Sequence, residues 1–208
     1  MSLSIMARRV FLCLVLTQAF WAQAYGAERT VVVVGDSLSS GYGLGTEQSW
    51  VAILEDRLGS EAYGYEVVNA SIAGDTSAGG LSRLPRLLQT YTPEIVIIEL
   101  GGNDGLRGLP VARLEENLSR MIELVQAAGA KPLLTGIQIP PNYGPAYTEQ
   151  FTAVYPKLAE HYDIPLVGFL MDGIALDPTL MQADRIHPNA SGQEPMFENV
   201  WHVLAGLL

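Results

Sequence analysis

Hydrophobic positions along this chain alternate between two rhythms. Short, nearly unbroken apolar runs of strand length fall at residues 31–34, 65–69, 94–100, 133–139 and 166–167. Between them, apolar side chains return every three or four positions, the spacing of one helix face. Trp50, Val51, Ile53, Leu54 and Leu58 form one such set, and Leu81, Leu84, Leu87 and Leu88 the next. Longer helices are expected over 110–128, 147–160 and 191–204. Pro110 suits the first turn of the first of these and Gly129 its end. Pro85 is expected to bend or shorten the helix that contains it. Pro140-Pro141 cuts the fourth strand, and residues 169–188 read as irregular or briefly helical.

Four consecutive β-branched residues, Val31-Val32-Val33-Val34, describe a strand buried on both faces, as at the centre of a parallel sheet. Strand–helix alternation along the rest of the chain predicts an α/β fold of three layers, α/β/α. The expected sheet has five parallel strands in the order 2-1-3-4-5, flavodoxin-like, with right-handed crossovers. No linker, repeat or low-complexity run interrupts it, so residues 25–208 read as one domain.

The amino terminus stands apart from this pattern. Arg8 and Arg9 precede an apolar run at 10–21, and Ala22-Gln23-Ala24 follows with small residues at cleavage spacing. Residues 1–24 therefore read as a secretory signal peptide, its apolar core too short for a membrane span. Cleavage is expected after Ala24, with Gly26 or Ala27 as the next choices. Cys13, the only cysteine, lies inside this segment, and Phe11-Leu12 before it does not suit a lipoprotein. The mature chain then has no thiol chemistry and no stable membrane anchor, and it is exported to a bacterial periplasm or medium. Losing two arginines takes the formal charge from −10 to about −12. Such acidity argues against a nucleic-acid partner.

The chemistry begins where the first strand stops, at Gly35-Asp36-Ser37-Leu38. Three sharp turns follow the first three strands and bring Ser37, Gly74 and Asn103 to one carboxyl edge of the sheet, where open α/β folds place reactive groups. Near the carboxyl terminus, Asp184-Arg185-Ile186-His187 spaces a carboxylate and an imidazole so that they meet on one turn. The carboxylate would accept from one ring nitrogen, leaving the other to take a proton from a hydroxyl. Serine needs such a base to act as a nucleophile. The backbone N–H groups of Ser37 and Gly74 and the amide of Asn103 would serve as oxyanion donors. Each residue taken alone has a plainer reading. Ser37 or Asp36 caps a helix, Gly74 makes a turn, Asn103 takes a left-handed conformation, and Asp184 and His187 are a surface cap and a surface imidazole. The conjunction favours chemistry.

Four blocks carry a family resemblance: Gly35-Asp36-Ser37-Leu38, Gly74 within Asn69-Ala70-Ser71-Ile72-Ala73-Gly74-Asp75-Thr76, Gly101-Gly102-Asn103-Asp104, and Asp184-x-x-His187. In this order and spacing the chain resembles the SGNH, or GDSL-type, hydrolases, from about Val31 onward. Within them it looks most like the bacterial periplasmic thioesterase, lysophospholipase and arylesterase branch. The resemblance implies Ser37 as nucleophile, His187 as general base and acid, and Asp184 as the orienting carboxylate. It also implies an oxyanion hole of Ser37, Gly74 and Asn103, and no cofactor.

Rival chemistries lack their motifs. Gly41-Tyr42-Gly43-Leu44-Gly45 is not a dinucleotide fingerprint, and no Walker-type Gly-Lys-Ser/Thr occurs. No G-x-S-x-G elbow is present, and Ser77, the nearest rival serine, lacks one. His161, His187 and His202 lie far apart with no metal-ligand spacing, so no metal is expected, and His161 and His202 read as surface or helix-end residues. The expected partner is a small-molecule acyl ester or thioester, held by walls drawn from residues 72–81, 106–114 and 140–147, with Leu106 and Leu109 prominent. A polysaccharide O-acetylesterase is the alternative enzyme, and a non-catalytic lipid- or flavin-binding protein the alternative from another class.

Overall fold

The computed structural model describes residues 29–60 and 63–208, so the expected signal segment and Cys13 lie outside it. Five parallel strands, β1 (Arg29–Gly35), β2 (Tyr65–Asn69), β3 (Ile95–Glu99), β4 (Lys131–Thr135) and β5 (Leu166–Val167), form one sheet in the order β2-β1-β3-β4-β5. This is the expected α/β order. Val31 to Val34 in β1 and Ile95 to Ile98 in β3 are wholly buried, so the two middle strands are covered on both faces. The covering helices are α1 (Trp50–Ser60), α2 (Ser77–Tyr91), α3 (Gly102–Leu106), α4 (Val111–Ala127), α5 (Pro145–Tyr162) and α6 (Ala190–Leu204). α1 packs on α6, while α2 packs on α4 and α4 on α5, giving the outer two layers. Among the described residues no helix is long and apolar enough to cross a membrane.

Three local expectations change. Pro85 does not shorten its helix: α2 runs through it for 15 residues, started by the Thr76 side chain accepting from the Gly79 N–H. Pro85 lies on the exposed face, while Leu84 and Leu88 hold the buried one. A carbonyl freed on the exposed side can be met by water. The fourth strand ends at Thr135 rather than at 139. At Gly136 the chain meets the backbone of Gly168 so closely that a Cβ would fall 2.1 Å from the Gly168 carbonyl oxygen. The apolar run continues past the strand because Ile137 and Ile139 wall a pocket. The third change is α3, a five-residue helix in the glycine-rich turn after β3.

One buried amide joins the helical layer to the carboxyl-terminal loop. Gln193 of α6 is almost wholly buried; its Oε1 accepts from the Trp50 N–H that opens α1 (3.0 Å), and its Nε2 donates to the Pro188 carbonyl (3.4 Å). Gln193→Leu keeps the volume but leaves the buried Trp50 N–H without its acceptor, while the Pro188 carbonyl keeps Gln182 Nε2 (3.0 Å). It is expected to lower the free energy of unfolding by about 1–3 kcal/mol in urea denaturation; an unchanged midpoint would show that the amide is no structural tie.

Candidate active site

β1 delivers Gly35-Asp36-Ser37 to the carboxyl edge, and the chain then turns back, with the Ser40 N–H donating to the Asp36 carbonyl (2.9 Å). The first helical element after it is the short turn Thr46–Gln48, so Ser37 caps no helix. Its Oγ instead lies 2.8 Å from His187 Nε2, across 150 residues of sequence. His187 Nδ1 lies 2.7 Å from Asp184 Oδ2.

The turn that carries Asp184 and His187 is built locally. Asp184 Oδ1 accepts from the backbone N–H groups of Ile186 (2.9 Å) and His187 (3.1 Å). Arg185 takes a left-handed conformation between them (φ 58°), and an antiparallel bridge between Met181 and Pro188 closes the loop. Partial burial works to raise the Asp184 pKa, but the hydrogen bonds from the His187 ring and from the Ile186 and His187 N–H groups outweigh it. The carboxyl is held at about 2 and is ionised at neutral pH.

Gly74 follows β2 in a left-handed conformation (φ 80°), with open space where a side chain would stand. Its loop is pinned to the first strand by the Ile72 N–H on the Gly35 carbonyl (3.1 Å), and Arg107 Nη2 donates to the Gly74 carbonyl (2.8 Å). Asn103 stands on α3 and donates through Nδ2 to Asp36 Oδ2 (2.9 Å). Ser37, Gly74, Asn103 and His187 all border one pocket. The rival Ser77 does not. It is fully buried, its Oγ donating to Asp104 (2.6 Å) and accepting from Asn117 (2.9 Å), a tie between α2, α3 and α4. His161 and His202 are exposed near helix ends.

The pocket has a volume of about 1230 Å³. Of the walls expected from sequence, Ala73, Gly74, Leu106, Pro140 and Pro141 take part. Leu109 does not: it is part of the exposed surface, its carbonyl held by the Tyr147 hydroxyl (2.8 Å). Most of the apolar wall comes instead from Ile137, Ile139, Phe169, Met171, Ile174 and Met181. The apolar content of the irregular stretch 169–181 was the available signal. Periodicity could not reveal it, because a pocket wall has none. Tyr42 was also missed; its ring packs 4.7 Å from that of His187. Beneath Ser37 lie two buried carboxyl groups, Asp36 and Glu99, which the sequence reading did not connect.

Comparison with known proteins agrees with this geometry. Residues 33–194 match the GDSL-like lipase/acylhydrolase family. Esterase TesA of Pseudomonas aeruginosa is 54% identical over 182 residues, 88% of this chain and 90% of that protein. Thioesterase 1/protease 1/lysophospholipase L1 of Escherichia coli K12 is 48% identical over 167 residues, 80% of this chain and 79% of that protein. The crystal structure of TesA superposes with a TM-score of 0.84 at 54% identity, across 86% of this chain and 100% of that one. With its sheet order, its four blocks on one rim and a family match over more than half its length, the chain belongs to the GDSL-like lipase/acylhydrolases and is an ester hydrolase of that type.

Proposed function

We propose that the chain is an exported serine esterase, acting on acyl esters and thioesters through an acyl-enzyme on Ser37. The observation that carries this reading is the unbroken line Asp184–His187–Ser37, at 2.7 and 2.8 Å, opening into an apolar-walled pocket. His187 Nε2 takes the Ser37 proton as Oγ attacks the acyl carbonyl, and the imidazolium formed is met by the ionised Asp184. The oxyanion falls to the Ser37 and Gly74 N–H groups and the Asn103 amide, each such donor typically contributing ~3 kcal/mol to the transition state. His187 then protonates the leaving alcohol or thiol, and the same nitrogen activates the water that releases the acid.

The cavity volume, about 1230 Å³, lies above the range of ~300–1,000 Å³ usual for small-molecule sites. Together with its Ile, Phe and Met walls it suits a long aliphatic acyl chain better than the acetyl group of a polysaccharide. The names of the relatives, an esterase and a thioesterase/lysophospholipase, support the same substrate class. The paired arginines and apolar run at the amino terminus support export.

Ser37→Ala is expected to lower kcat toward p-nitrophenyl esters and an acyl thioester by at least about 10³-fold; turnover indifferent to the change would overturn the mechanism. Leu106→Gln should reduce turnover of dodecanoyl esters about 10-fold more than that of acetyl esters, and equal losses would remove Leu106 from the acyl site. Asp184 also leaves a mark on stability. Its folded pKa lies below its ordinary value of 3.8, so its contribution is present above pH 4 and fades as the pH falls toward 2. Urea midpoints of the wild type and Asp184→Asn should therefore converge between pH 4 and 2. A gap that stays constant would show that the carboxylate's charge is not what the fold uses.

A further inference from the structure

The two carboxyl groups beneath the nucleophile take no part in the cycle above, yet they are among the most buried polar groups described. Asp36 is 2% exposed and uses both oxygens as acceptors: Oδ1 takes the Leu38 N–H (3.1 Å) and Oδ2 takes one hydrogen of Asn103 Nδ2 (2.9 Å). A carboxylate satisfies both donors. Protonation puts a hydrogen on one oxygen and weakens it as an acceptor, and an amide at this position would set an N–H against one of the two donors. Gly102 makes the contact reachable, since a Cβ there would sit 3.2 Å from Asp36 Oδ2. The second Asn103 amide hydrogen is left for the pocket that Asn103 borders.

Glu99 lies behind, fully buried. Its Oε2 accepts from the Asp36 N–H (3.2 Å) and from Ser39 Oγ (2.7 Å), while Oε1 has no partner. Burial first, then the nearby Asp36 charge, drive its pKa well above the ordinary carboxyl value, against the Ser39 and Asp36 hydrogen bonds. A buried carboxyl with one oxygen unsatisfied is favoured in its neutral form. The single negative charge of the pair therefore resides on Asp36. Facing it are Glu99 from β3, Asp104 from α3, the Tyr155 hydroxyl from α5 and His187 from the carboxyl-terminal loop. On the α2 side, the Arg83 guanidinium holds the adjacent Gly35 carbonyl (3.0 Å).

Resting on the serine-esterase reading above, we propose that Asp36 is a positioning residue whose carboxylate fixes the Asn103 amide for the oxyanion, and whose protonation releases that amide, so the oxyanion hole fails in acid independently of His187. Burial pushes Asp36 up to about 6, with Asp104 adding to the rise; the Leu38 and Asn103 hydrogen bonds and the His187 charge oppose it. The release accordingly falls in a range where Asp184 is still ionised.

A kinetic cycle at pH 8 tests the coupling. Asn103→Ala should lower kcat about 100-fold. Asp36→Asn should lower it about 10- to 100-fold with KM within about 2-fold, because the donor acts on the transition state. The double variant should be no more than about 3-fold worse than Asn103→Ala alone. Losses that multiply would mean that Asp36 does not act through Asn103. An Asn103→Ala protein of full activity would instead overturn the oxyanion assignment itself, and this proposal with it. A second measurement does not depend on any Asp36 variant folding. In His187→Ala protein, the Asn103 side-chain amide resonances, assigned by their loss on adding Asn103→Ala, should shift with a midpoint at or above pH 6, because the His187 charge that lowers Asp36 is gone. Resonances flat from pH 4.5 to 8 would overturn the proposal.

Discussion

Where β1 and β3 end side by side, Gly35 stands opposite Glu99 in the ladder. Because Gly35 has no side chain, the Glu99 carboxyl can fold against it; a Cβ there would lie 2.6 Å from Glu99 Oε2. From that position the carboxyl takes the Asp36 N–H and the Ser39 hydroxyl, so the turn bearing Ser37 is tied to the neighbouring strand at both ends. The same strand runs on into α3 and Asn103, whose amide returns to Asp36. The levels of Ser37 and Asn103 above the sheet therefore follow from the register of two strands, and the rest of the site is assembled on that register.

Two aspartates of the site show how environment divides the work of one residue type. Asp184 is partly exposed but accepts three hydrogen bonds, two of them from backbone N–H groups of its own turn, and is held ionised. Asp36 accepts two, in nearly complete burial, and is pushed the other way. For the first, hydrogen bonding outweighs desolvation; for the second, desolvation wins. One carboxylate thus serves the imidazole over a wide pH range, while the other sits close to the edge of its charged state.

The pocket is assembled on a different principle from the sheet. Its walls come from the ends of elements and from irregular chain, held by hydroxyls rather than by a ladder. Tyr143 and Tyr147 donate to the carbonyls of Leu106 (2.7 Å) and Leu109 (2.8 Å), joining the segments after β3 and β4. Gly136 lets the chain leave the sheet against Gly168, which turns Ile137 and Ile139 toward the cavity. Loops placed on a rigid scaffold in this way set substrate shape without disturbing the core.

The elements whose signals are local were legible in the amino-acid sequence. Runs such as Val31 to Val34 and the three-to-four spacing of Leu84 and Leu88 declare strand and helix within a few residues, and their alternation points to a parallel doubly wound sheet, of which 2-1-3-4-5 is one common order. The same holds for Ser37, Gly74 and Asn103, because turns after parallel strands share one edge, and for Asp184 and His187, because three residues close one turn. Pro85 did not shorten its helix, and a proline signal does not say which face of a helix it occupies. The end of β4 misled because an apolar pocket wall and a buried strand look alike in sequence. Only the tertiary structure decided that Glu99 lies beneath Asp36, that Tyr42 packs on His187, and that 169–181 rather than 109 walls the cavity. Those relations join positions tens of residues apart or more through burial and excluded volume, and no periodicity along the chain encodes such distances.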